Sequence, residues 1–163
     1  MVNRGRISLK IFGNTYNLNL SAIARKLSSA EGLVFQQIVL VANHMLSNSQ
    51  VEFIEFMLHR AKNVRIANLL PEASIEIKID SAVSKLESLQ LIECKINGQI
   101  ELVGPEKSRL KRLKLTGNES VDILNTNRLP NLEQWTGPFS QFKSFADKAP
   151  SGAFNSLQSL WVD

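Results

Sequence analysis

The densest chemistry in this sequence is electrostatic. Within GPEKSRLKRLKLTG, Gly104–Gly117, stand Lys107, Arg109, Lys111, Arg112 and Lys114 against the single carboxylate Glu106. The chain carries a formal net charge of +4, and this segment alone accounts for it. A basic cluster beside a compact fold suits a phosphate backbone, an acidic protein or an anionic lipid surface; a solvated charge run with no partner is the plainer alternative. Groups for covalent chemistry are sparse. His44 and His59 lie far apart inside apolar helical patterns, where a hydrogen-bonded structural histidine is commoner than a base or a ligand. Cys94 sits in an apolar, strand-like pattern, and a buried thiol is a poor nucleophile. The sequence has no phosphate-cradling glycine loop, no metal-ligand spacing and no G-x-S-x-G. The expectation is a protein that binds and does not catalyse, with no cofactor and no metal.

Something must position these cations. A chain of 163 residues, 44% of them hydrophobic, can bury a core of ordinary domain size. A single cysteine excludes an intrachain disulfide framework and a Cys-rich zinc site, which suits a reducing, cytosolic setting. Met1 to Gly13 is basic but leads into no apolar run of signal-peptide length. The most apolar later stretch, GLVFQQIVLVANHML, is interrupted by Gln36, Gln37, Asn43 and His44. Neither export nor a membrane span is expected.

Periodicity supplies the elements. RISLKIFGNTYNLNLS alternates Ile7, Leu9, Ile11 and Tyr16, Leu18, Leu20 around Gly13-Asn14, which predicts an N-terminal hairpin. Ile23 and Leu27 mark a short first helix. Ser28 or Ser29 then caps a second, from Ala30 to Met45, striped by Leu33, Val34, Ile38, Val41 and Met45. Phe35, Val39 and Leu40 make that helix apolar nearly all round, so it is the centre of a core or half of a subunit contact. VEFIEFMLHRAKN spaces Phe53, Phe56 and Met57 as a third helix, and VRIANLLPEAS reads as a short fourth, stopped by Pro71. Asp80 or Ser81 caps a further helix through Leu91, striped by Ala82, Val83, Leu86 and Leu89. Ile92, Cys94, Ile96 and Ile100, Leu102 then alternate around Asn97-Gly98 as a hairpin.

In order, residues 51–103 give helix, short helix, turn, helix and hairpin, which resembles a winged helix-turn-helix over about a third of the chain. VRIANLLPEAS looks like the second helix, IDSAVSKLESLQLIE like the recognition helix and CKINGQIELV like the wing. The link PEASIEIKI is longer than that family's compact turn, and Ile75, Ile77 and Ile79 alternate as a strand would. The resemblance implies sequence-specific binding of double-stranded DNA by a transcriptional regulator or replication-initiator-type protein. Ser81, Ser84, Lys85 and Ser88 would read base edges from the major groove, while Arg65, Lys95, Lys107, Arg109, Lys111, Arg112 and Lys114 hold phosphates. The implied fold is α+β, a mainly helical winged helix-turn-helix core with an N-terminal β-hairpin and an aromatic C-terminal extension.

That division sets a domain over residues 1–117 and an extension over 118–163. The extension is too aromatic for a solvated linker. Phe139, Phe142 and Phe145 follow Pro138 at helical spacing, Phe154, Leu157 and Trp161 repeat the arrangement, and Trp135 precedes both. These stripes either dock on the body or a twin subunit, or bind a partner protein in a groove. A homodimer is expected through the Ala30–Met45 helix with help from this tail. Two other functions stay open: a protein-interaction adaptor using the aromatic tail, and a metal-dependent nuclease, whose carboxylate and lysine trio Glu72, Glu76 and Lys78 resembles at tighter spacing.

Overall fold

A computed structural model of the chain describes residues 7–12, 19–30, 32–41, 45–46, 48–68, 70–71, 75–94, 98–105, 107–118 and 121–162. Its spine is a seven-stranded sheet in which every pairing is parallel. The strands are β1 (Ser8–Phe12), β2 (Phe35–Val41), β4 (Ala61–Ala67), β7 (Ser88–Ile92), β9 (Arg112–Lys114), β11 (Gln134–Gly137) and β12 (Ser159–Val162), and they lie side by side in chain order. Between them the chain crosses to a second wall and returns. That wall holds α1 (Leu20–Ser28), α2 (Asn48–Arg60), then β6 (Ile75–Asp80), β8 (Gly98–Val103) and β10 (Val121–Leu124) as a parallel three-stranded sheet, and finally α3 (Phe139–Lys148). A two-residue pair, β3 (Met45–Leu46) with β5 (Leu70–Pro71), and a 3-10 turn at Thr126–Arg128 complete the elements.

This is a solenoid, in which each coil lays one strand beside the last. Ile38, Val64, Leu89, Leu113 and Trp135 share one register row and point into the core, with Leu40, Ile66 and Leu91 in the row beside it. Facing them from the second wall are Ile77, Ile79, Ile100, Leu102, Val121 and Ile123, with Phe53, Met57 and Leu58 from α2. The sequence behind this is Leu86-x-x-Leu89-x-Leu91-x-x-Cys94, then Leu110-x-x-Leu113-x-Leu115-x-x-Asn118, the spacing of a leucine-rich repeat. The last position of that unit turns the chain inward. Asn118 Nδ2 donates to Leu91 O at 2.9 Å and Thr116 O at 2.7 Å, and Cys94 Sγ lies 3.4 Å from Ile66 O, the same strand site one coil earlier. Beside these turns Asn68, Glu93 and Gly117 all take positive φ, and a Cβ on Gly117 would meet the Glu93 carboxylate at 2.6 Å.

The winged helix-turn-helix is therefore overturned, and with it the mainly helical core. The first and third helices exist as α1 and α2, and α3 begins at Phe139 as expected. The Ala30–Met45 helix does not: Phe35–Val41 is a strand inside the sheet, with Ile38 and Leu40 turned to the core and Gln37, Val39 and Val41 on the outward face. The expected fourth helix is not there either: VRIA, 64–67, is the end of β4, since Val64 and Ile66 alternate at spacing two, Leu70–Pro71 is β5, and residues 69 and 72–74 lie outside the described set. The recognition helix is absent: residues 81–83 form a single turn between β6 and β7. Asp80 Oδ1 accepts from Ala82 N–H at 2.9 Å, but Ser84 Oγ then donates to Leu58 O at 2.7 Å and accepts from Leu86 N–H at 3.2 Å, leading the chain into β7. The wing is no hairpin either. β7 and β8 belong to different sheets, and Lys95 to Asn97 lie outside the described residues. At the N-terminus β1 pairs in parallel with β2, residues 13–18 are outside the described set, and Leu20 opens α1. The second aromatic stripe ends in strand β12.

Candidate binding surface

Residues alternating with the core rows point outward, and register groups them into three bands. The first is polar: Ser8, Gln37, Asn63, Ser88, Arg112, Gln134 and Ser159. The second runs Lys10, Val39, Arg65, Gln90, Lys114, Thr136 and Trp161. The third is apolar: Phe12, Val41, Ala67 and Ile92. No carboxylate stands in these bands, and among the described residues none pairs with Lys10, Arg65, Arg112 or Lys114. Arg112 Nη2 donates to Asn63 Oδ1 at 3.3 Å and so crosses over Ser88, which lies between them and is buried.

The edge where the strands begin is built differently. Lys62, the second residue of β4, stands level with Glu87, Lys111 and Glu133, which immediately precede β7, β9 and β11, and the four are joined by backbone bonds from Glu87 N–H to Lys62 O, Lys111 N–H to Glu87 O and Glu133 N–H to Lys111 O. Their charges alternate, with ion pairs of 3.5 Å between Lys62 and Glu87 and 3.2 Å between Lys111 and Glu133. Opposite charges on neighbouring strands favour the observed register, though each half-exposed pair contributes only about 0.2–1 kcal/mol. This edge is self-neutralised and the face beside it is not.

Of the residues expected to hold phosphates, Arg65, Arg112 and Lys114 meet on the outward face. Lys107 and Arg109 are exposed on the segment entering β9, alternating with the buried Ser108 and Leu110. Lys111 belongs to the ion-paired edge, and Lys95 lies outside the described residues. Of the residues expected to read bases, Ser81, Ser84 and Ser88 are buried and Lys85 is half-buried in the turn before β7. Sequence reasoning missed Lys10, Asn63, Gln90, Gln134 and Thr136 as members of one surface. The signal was the recurrence of each band roughly every 25 residues.

No protein-family model, no curated protein and no solved structure matches this chain. The surface has to speak through its own chemistry.

The aromatic tail divides. Trp135 is fully buried and stacks on Phe145 at 5.2 Å, with Phe142 at 5.6 Å and Phe154 closing against both phenylalanines at 5.7 and 5.0 Å. Phe139 and Trp161 are 59% and 67% exposed. Elsewhere, a hollow of about 260 Å³ between β10 and α3, lined by Asp122, Ser140, Gln141 and Ser144 among others, is smaller than the usual ligand pocket. Lys78 pairs with Glu76 at 3.4 Å on the outer side of the small sheet, while Glu72 and His44 lie outside the described residues. His59 is half-buried at the end of α2, and Cys94 is buried. No group of three or more His, Cys, Asp or Glu among the described residues is placed to hold a metal. No described helix is long and apolar enough to cross a membrane.

Proposed function

We propose that this protein is a binding module that takes an acidic protein partner on the outward face of its seven-stranded sheet. One observation carries the reading: Lys10, Arg65, Arg112 and Lys114 share that face, and among the described residues no carboxylate pairs with them. Strands stacked in a solenoid make extended binding surfaces, and an uncompensated cationic field steers acidic partners onto them. The amides of Asn63, Gln90 and Gln134 and the apolar band from Phe12 to Ile92 add the hydrogen bonds and contact area that a protein interface uses. A cytosolic setting belongs to the same proposal, since the single, buried thiol suits a reducing compartment.

Duplex DNA is the second reading, favoured by the exposed Lys107 and Arg109 next to Arg112 and Lys114. It would rest on phosphate contacts without groove reading, because the helix meant for the groove does not exist. Binding of labelled polyglutamate and of a 20-base-pair duplex, measured by fluorescence anisotropy at physiological salt, separates the two. The proposal expects polyglutamate to bind and the triple variant Arg65→Glu, Arg112→Glu, Lys114→Glu to lose it at least about tenfold. Binding of the duplex alone, with a log–log salt slope near about −4, supports the second reading instead.

A further inference from the structure

The cations of the middle band are not scattered. Along Lys10, Val39, Arg65, Gln90, Lys114, Thr136 and Trp161, charge falls on the first, third and fifth strands, and neutral side chains fill the second, fourth and sixth. Neighbouring strands lie about 4.8 Å apart, so these cations repeat about every 9.6 Å along a line crossing the sheet. Spacing like charges on alternate strands avoids their direct repulsion. It also fixes the period of any linear anion that would satisfy all three.

From this period we infer that the ligand is an acidic peptide segment in extended, polyproline-like conformation, lying across the strands with a carboxylate at every third residue. The inference rests on the proposed function and gives its partner a shape. A polyproline II segment returns to the same side every three residues, after about 9.3 Å. A strand repeats after about 6.7 Å, and an α-helix after about 10.5 Å at seven residues with angular drift. The other two residues of each triplet face the flanking bands, Asn63 and Gln134 on one side and Phe12, Val41 and Ile92 on the other. At the far end of the row the exposed indole of Trp161 offers the flat aromatic surface that such segments pack on.

The test uses the full chain and three labelled probes at one salt concentration: five Glu-Pro-Pro triplets, an isomer with the same five glutamates clustered at one end, and a 20-base-pair duplex. The triplet peptide should bind about tenfold or more tighter than its isomer, and Arg65→Gln and Lys114→Gln should each weaken it about three- to tenfold. Lys78→Gln, on the other wall, should leave it unchanged, and melting temperatures taken alongside confirm that the variants fold. Equal affinity for both peptides, lost in Arg65→Gln, overturns the spacing inference and leaves the acidic-partner reading standing. Binding to the duplex alone, or to none of the probes, overturns both.

Discussion

The two walls of this molecule are both sheets for part of their length, both cover the same core, and both turn polar side chains outward, yet they treat charge oppositely. On the three-stranded wall the outward rows run Glu76, Gln99, Asp122 and Lys78, Glu101, Leu124. Here Lys78 lies 3.4 Å from Glu76 and 4.0 Å from Glu101, and Lys148 of α3 holds Asp122 at 2.8 Å. On the seven-stranded wall Lys10, Arg65, Arg112 and Lys114 point outward with no such partner among the described residues. Charges that close on one another serve register and solubility, whereas charges left open across several strands are available to something else. The contrast, more than the net charge of the chain, singles out the binding face.

Four expected outcomes test that contrast, in falling order of size. The largest lies where the walls meet: Trp135 sits in the large sheet and stacks on Phe145 of α3, so Trp135→Ala should cost about 3–5 kcal/mol in denaturant unfolding. A loss under about 1 kcal/mol would mean that the walls hold together without it. Next, Asn118→Ala removes the side chain that satisfies Leu91 O and should cost about 1–3 kcal/mol, chiefly on the large-sheet side. Gly117→Ala forces a side chain into positive φ against Glu93 and should cost about 1–2 kcal/mol. Smallest in stability are the surface charges. Lys78→Ala and Arg65→Ala should each change unfolding by less than about 1 kcal/mol, and only Arg65→Ala should weaken an acidic ligand. Equal effects of the two on binding would erase the difference between the walls.

The sequence showed some of this. α1, α2 and the start of α3 were legible from helical spacing, because Ile23 and Leu27, Phe53, Phe56 and Met57, and Phe142 and Phe145 bury one side of a real helix. The alternation Ile75, Ile77, Ile79 was legible as a strand, and Ile77 and Ile79 face the core from β6. What failed was the short range of the reading. Val64 and Ala67, or Leu86 and Leu89, stand three apart and satisfy a helical template, yet Leu86 closes a turn while Leu89 and Leu91 face the core from a strand. Setting the chain against itself at a shift of roughly 25 residues aligns Phe35, Ile38, Leu40 with Ala61, Val64, Ile66, then Leu86, Leu89, Leu91 and Leu110, Leu113, Leu115. The candidate surface was half legible. Lys107 to Lys114 stood out as a run and Arg65 was grouped with it through the winged-helix resemblance that the fold overturns, but Lys10 joins them only through strand register, which no local pattern encodes.

The most direct test of the central claim is a map of backbone amide and indole NMR shifts as a glutamate-rich peptide is added to the labelled protein. Binding on the outward face predicts the largest changes at Arg65, Gln90, Lys114 and Thr136 and at the Trp161 indole, with Glu76, Glu101 and Asp122 undisturbed. Changes confined to the three-stranded wall, to the hollow beside Gln141 and Ser144, or nowhere would contradict it.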